Sequence, residues 1–335
     1  MKKIIIILIV FLAAVWLYWN NLNSPVDKNG REQPFTVSKG ETIKQIANNL
    51  SKADLIKSPF YFRYVIWRVD LKIQAAEYLI SPALSAREII KILSAGEAVG
   101  RDKNITLIEG WSLKDMAAYL EKNQLAGSGE YLKLAGAPLN DWRFGFSRPD
   151  FLSDAPLDAG LEGYLFPDTY RISANAAPEQ IINKMLNNFN KKLTPPMRRD
   201  ITAQNKTIYQ IITMASLVEK EVRTPADMKI VSGIFWNRIK IGMPLQSDAT
   251  LSYILGDKIG GHTIEQTKID SPYNTYKYRG LTPGPIANPG LNAITAAIYP
   301  AENDYVYFLS DPATGKTIFS RTLNEHNENK AKYLK

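Results

Sequence analysis

The sequence predicts an α+β fold behind an N-terminal apolar helix, on three observations. Short alternating segments and helical patterns follow one another with no strand–helix–strand rhythm, so small sheets and helices segregate instead of building one parallel sheet. A strand, glycine turn and capped helix occur twice, at residues 35–50 and 105–120. Residues 4–19 form an uncharged apolar run behind Lys2 and Lys3.

With 335 residues, 45% hydrophobic and 22% charged, the chain can bury a sizeable core and has the length of two domains. Its 12 Phe, 17 Tyr and 6 Trp exclude a disordered polymer. Cysteine is absent, which removes disulfides, lipidation thiols and thiolate metal sites. The two histidines, His262 and His326, are too few for a histidine-rich metal centre or a conventional Ser/His/Asp triad. A metal centre built on cysteine or histidine is therefore not expected. The net charge of +8 suits an anionic polymer or a membrane surface. With no long basic run and no nucleic-acid motif, nucleic acid is not an expected partner.

The apolar run is slightly shorter than the ~20 residues of a typical span, so a signal peptide is the competing reading. Its end at Trp16, Tyr18 and Trp19, with no small-x-small cleavage site after it, favours a retained anchor over residues 1–22. The lysines before it place the N-terminus in the cytoplasm and everything after about Asn20 across the membrane. Residues 23–33, with Pro25 and Gly30, read as a linker.

A strand at Phe35 then enters a turn at Gly40, and Thr42 caps a helix with apolar Ile43, Ile46, Ala47 and Leu50. The second copy keeps Thr106, Gly110, Lys114, Ala117 and Leu120 in register, with Ser112 as cap. A third helix begins at Ser85. The Lys39-Gly-Glu-Thr42 turn and Ile43-x-x-Ile-Ala47 helix resemble a LysM module. That resemblance implies N-acetylglucosamine polymers as ligand and a LysM-like domain over residues 34–103. A capped amphipathic helix with no ligand is the plainer reading.

Residues 123–158 read as turns, through Gly127-Ser-Gly129 and Arg148-Pro-Asp150. Leu161-Glu-Gly-Tyr-Leu-Phe-Pro-Asp-Thr-Tyr170 mixes aromatic rings with carboxylates, as a sugar groove or a rigid turn would. A helix over 179–192 follows. The next helix, 208–222, ends in Glu219 and Glu221. At 100° per residue Glu219 shares the stripe of Ile208, Ile211, Ile212, Ala215 and Val222, while Glu221 falls on its flank near Met214. Glu219 is therefore expected to be the more buried and paired with a cation. Glu221 is expected at an edge that a substrate can reach.

Further on, a helix over 228–241 ends at Gly242, and Ser247 or Asp248 can cap a short helix after it. Residues 271–290 combine prolines and glycines with Tyr273, Tyr276 and Tyr278, which suits an ordered loop lining a cleft. A helix over 292–299, a strand over 304–310 and a hairpin partner at Thr317–Ser320 complete the pattern.

Five segments together carry a resemblance: Glu162–Tyr170, Ala215–Glu221, Phe235–Asp248, Tyr273–Tyr276 and Gly280–Gly290. They resemble the YceG-like family of endolytic murein transglycosylases, in order and over nearly the whole chain, with residues 104–335 as the catalytic domain. Trp236 and Ser247 depart from the pattern at positions to which no chemistry is assigned. The resemblance implies a single-pass inner-membrane enzyme facing the cell wall, with a peptidoglycan synthase as partner. It would cut the β-1,4 bond between N-acetylmuramic acid and N-acetylglucosamine in nascent strands and leave 1,6-anhydro ends. It also selects Glu221 as the single acid/base, because the sugar's own 6-hydroxyl replaces the second carboxylate of ordinary glycosidases, and it implies that no metal and no cofactor are needed. By analogy with other lytic enzymes, Gln246, Tyr273, Asn274, Tyr276 and Glu162 are candidate substrate contacts. A water-using muramidase, with Glu162, Asp168 or Asp248 as second acid, and a non-catalytic wall-binding scaffold are the alternatives.

Overall fold

The computed structural model describes residues 2–69, 71–96, 102–173, 176–257 and 261–334, without the side chains of 2–10, 12 and 102. The chain forms two compact units, Met1–Lys103 and Asn104–Lys335.

The first unit opens with helix α1 (Lys2–Asn23). Among the described residues no helix is long and apolar enough to cross a membrane. The anchor expected over 1–22 falls largely on residues 2–10 and 12, whose side chains lie outside those described. Strand β1 (Gln33–Val37), helices α2 (Ile43–Lys52) and α3 (Pro59–Val69), strand β2 (Ala76–Ile80) and helix α4 (Ala86–Ala95) follow. Thr42 and Ser85 start α2 and α4 through reciprocal capping boxes with Gln45 and Glu88. β1 and β2 pair antiparallel with Phe35 opposite Tyr78, and their inner faces bury against Ile46, Leu50, Phe62, Ile66 and Ile89.

In the second unit, β3 (Asp102–Thr106) pairs with β4 (Thr169–Ser173). Between them lie α5 (Leu113–Lys122), capped by Ser112 as its sequence copy implies, and α6 (Ser128–Ala135). The stretch read as turns thus contains a helix. Buried Tyr131 and Ala135 hold α6 in the core, although glycines at 127 and 129 mask its signal. Helices α7 (Pro178–Lys192), α8 (Pro195–Ala203), α9 (Ile208–Glu221), α10 (Pro225–Lys240), α11 (Asp248–Leu255) and α12 (Leu291–Ile298) follow. The hairpin β5 (Tyr307–Ser310) and β6 (Thr317–Ser320) and helix α13 (Leu323–Tyr333) complete the unit. α10 starts earlier than its apolar spacing suggests. Thr224 caps it by accepting from Asp227 N–H, and Pro225 fits the first turn, where an N–H has no helical partner anyway.

Helix α9 is the centre of this unit. α8, α10, α11 and α12 all pack on it, and Ile211 through Val218 are buried without a gap. A one-sided helical stripe therefore misjudges which end residues are enclosed. The turn at 161–167 approaches the 280–290 loop closely at Gly163. Its φ is +89°, and a Cβ there would stand 2.6 Å from Pro285, so any other residue is both strained and obstructed.

Candidate active site

Glu221 is the last residue of α9, half-buried, and its Oε1 accepts a hydrogen bond from the Ser247 hydroxyl. Ser247 occupies the cap position of α11 but makes no cap hydrogen bond with its side chain. Its hydroxyl is turned to the glutamate instead. A buried threonine frame fixes it there: Ser247 N–H donates to Thr275 Oγ1 at 3.0 Å, Thr250 Oγ1 donates to Ser247 C=O at 2.7 Å, and the two threonine hydroxyls lie 3.0 Å apart. Immediately before it, Gln246 holds φ +50°, a left-handed conformation that a side chain tolerates only at a cost, and donates its N–H to Thr275 C=O. The strained residue thus aims the serine.

Burial, above all, pushes the Glu221 carboxyl up to about 7. The Ser247 hydrogen bond opposes that rise, the neighbouring Asp248 charge adds to it, and the Arg238 guanidinium again opposes it. Arg238 is itself buried and donates to the carbonyls of Leu245 and Val306, which ties α10 to the loop carrying Gln246 and Ser247. Tyr276 donates its hydroxyl to Asp248 Oδ1 at 2.6 Å, fixing the carboxylate beside Glu221. Of the sequence candidates, Glu221, Gln246 and Tyr276 therefore share one locale.

Glu162 and Tyr273 meet in a cleft of about 480 Å³, which Ser112, Lys114, Lys220 and Tyr253 also line. Glu221 is not on its wall, but its chain neighbour Lys220 is, as is Ala249, two positions after Ser247. The Tyr273 ring tilts against Tyr253 at 5.2 Å. Glu162 accepts the Leu113 N–H at the first turn of α5 and an Asn288 Nδ2 hydrogen at 2.9 Å. Burial dominates and pushes its carboxyl up to about 8, with the two hydrogen bonds opposing. Asn274 has a different task from the one expected. It is fully buried, gives its Nδ2 hydrogens to the carbonyls of Thr267 and Ile269, and accepts from Tyr276 N–H, so it folds the loop.

Glu219, expected to be the more enclosed of the pair, is half-buried like Glu221 and accepts from Gly290 N–H at 2.9 Å. Its carboxyl is raised, first by burial, and Lys220 is a nearby cation without a hydrogen bond to it. Asp168 is lowered by its Asn188 hydrogen bond first, with help from Thr169 N–H and Lys192. It braces β4 against α7.

The sequence assigns no chemistry to two residues of consequence. One is Ser247. The other is Asn288, fully buried, whose Oδ1 accepts from the N–H groups of Gly163 and Leu165 while Nδ2 donates to Trp111 C=O and Glu162. It joins the 161–167 turn, the 280–290 loop and the entry to α5. The tyrosines spaced among the prolines and glycines of that loop are a clue to order but not to which asparagine is central. Among the described residues no group of three or more acidic or histidine side chains is placed to hold a metal ion.

Known proteins resemble this chain over most of its length. The model of the YceG-like family matches residues 35–332. An endolytic murein transglycosylase of Bacillus subtilis (strain 168) is 33% identical, over 97% of this chain and 91% of its own length. One from Streptococcus pneumoniae D39 is 32% identical over 99% of this chain, which spans 65% of that relative's length. A crystal structure of a YceG-like protein from Listeria monocytogenes superposes with a TM-score of 0.61 at 31% identity, covering 90% of this chain and all of the other. On this evidence the chain belongs to the YceG-like family.

Proposed function

We propose that the protein is an endolytic lytic transglycosylase of peptidoglycan, with Glu221 as its single acid and base. The observation that supports this most is a half-buried glutamate held near neutral pKa, at about 7, by burial against a serine hydrogen bond. The names of the relatives in Bacillus and Streptococcus supply the substrate class. A group with that pKa can give a proton and take one back at the same pH.

Glu221 protonates the glycosidic oxygen as its bond to C1 of N-acetylmuramic acid breaks. The resulting carboxylate takes the proton of the 6-hydroxyl as that oxygen bonds to C1. The 1,6-anhydro end forms, Glu221 regains its proton, and no water is consumed. Tyr273 and Glu162 in the cleft, with Gln246 and Tyr276 nearer Glu221, are the proposed strand contacts; Asn274 serves them by shaping the loop. In the proposed setting α1 is a retained single-pass anchor with a cytoplasmic N-terminus. The LysM-like first unit binds glycan outside the membrane. Cutting nascent strands terminates their elongation beside a peptidoglycan synthase.

Mass spectrometry of sacculi digested by the full chain tests the reading. The expected products carry anhydromuramic ends. Reducing ends would replace the proposal with water-using hydrolysis, in which Asp248 beside Glu221 is the second acid.

A further inference from the structure

Helix α3 has an unusual outer face. Tyr61, Phe62, Val65 and Ile66 point into the core of the first unit, as helical spacing requires. The opposite stripe, Phe60, Arg63, Tyr64 and Trp67, follows i, i+3, i+4, i+7 spacing. A water-facing stripe is ordinarily charged or polar, yet Phe60 is 60% and Trp67 79% exposed. Val69, at the end of the helix, is exposed as well.

This stripe is continuous with the end of α1. The Trp19 ring meets Tyr61 edge-on at 5.5 Å and Tyr64 at 5.3 Å, and Tyr64 in turn lies 6.3 Å from Trp67. Lys57, just before α3, donates to Asn21 Oδ1 at 3.1 Å and Ser24 Oγ at 2.7 Å, which fastens the two helices together. Trp19 closes the apolar run of the sequence, and the exposed rings of Trp16 and Tyr18 sit in the turn before it. Around α3 the cations Lys57, Arg63, Arg68 and Lys72 outnumber Asp70. Aromatic rings with a cationic fringe are the composition that settles in the headgroup layer of a bilayer.

We propose that α3 docks on the phospholipid headgroup layer where α1 emerges, with Phe60 and Trp67 inserted and Arg63 and Arg68 against lipid phosphates. The inference rests on the anchor reading of α1. It makes the first unit a collar lying on the membrane, oriented by two contacts and not hanging from a flexible tether. The α2 side, with its polar outer residues, is then left for the wall.

Because the chain has no cysteine, single-cysteine variants report directly. Full-length Phe60→Cys, Trp67→Cys, Val15→Cys and Lys44→Cys proteins would each be spin-labelled and reconstituted in phosphatidylethanolamine–phosphatidylglycerol vesicles. Accessibility to oxygen and to a water-soluble nickel chelate would then be compared. The expected result is a lipid signature at 15, 60 and 67 and a water signature at 44. A lipid signature at 15 with water at 60 and 67 overturns the docking and leaves the anchor standing. Water at 15 removes the anchor reading and the docking with it. Labels at 60 and 67 that are shielded only when soluble peptidoglycan fragments are added overturn the proposal and give the face to glycan.

Discussion

The Ser247 hydroxyl is spent on Glu221 instead of on the helix it stands before. A side-chain cap is worth about 1 kcal/mol, so its diversion is a local loss that the glutamate's placement offsets. Because the hydroxyl favours the charged carboxylate, Ser247→Ala should raise the Glu221 pKa further above about 7. The general acid then stays protonated to higher pH, and the alkaline limb of the rate profile moves upward. The maximal rate should fall roughly 10- to 100-fold, the value of one hydrogen bond to a charged group. Ser247→Thr should restore both. A loss of rate with an unmoved profile would make Ser247 a packing residue only.

Glu162 gives a pH dependence of stability. Its carboxyl is near 8 in the folded chain against a reference of 4.5, so between those values the folded state holds a proton that the unfolded chain releases. Stability from this group is therefore full below the reference value and is lost as pH rises through the folded one. Glu221 acts in the same sense through about 7. Urea midpoints of wild type, measured at about pH 5 and about pH 9, should fall with pH, and Glu162→Gln should flatten part of that fall.

Asn288→Ala should destabilise the second unit by about 3 kcal/mol or more, since it orphans two buried N–H donors and removes one of the hydrogen bonds to the Glu162 carboxyl. Urea unfolding measures it. A change within about 0.5 kcal/mol, the usual surface range, would mean that the three segments hold together without it.

Tyr273 offers its ring to the cleft, and a sugar ring stacked on it needs the face and not the hydroxyl. Tyr273→Ala should raise KM roughly tenfold, equivalent to about 1.4 kcal/mol, while Tyr273→Phe stays close to wild type. Steady-state kinetics on purified glycan strands separate the two.

Local signals carried much of the architecture. Thr42, Ser85 and Ser112 all start the helices their spacing announces, because a cap and its partner lie three residues apart. The β5–β6 hairpin and the order of the 271–290 loop were legible for the same reason. The enclosure of Glu219 against Glu221 was not, since a helical wheel assumes one buried face and α9 is packed on several sides. Asn274 and Ser247 exchanged expected importance because hydrogen bonds 26 residues apart, such as Ser247 to Glu221, leave no periodic trace. Asn288 reaches Gly163 across 125 positions, which no local pattern announces.

The claim that one carboxyl performs both proton transfers is tested most directly by Glu221→Gln, a change that keeps the side chain's shape and removes its proton chemistry. The variant should fold, unfold in urea at a midpoint no lower than that of wild type, and bind glycan strands. Its release of anhydromuramic-ended fragments should fall by at least the ~10²- to 10⁴-fold typical of a lost acid/base group. Release within about tenfold of wild type would contradict the account and move the chemistry to another residue.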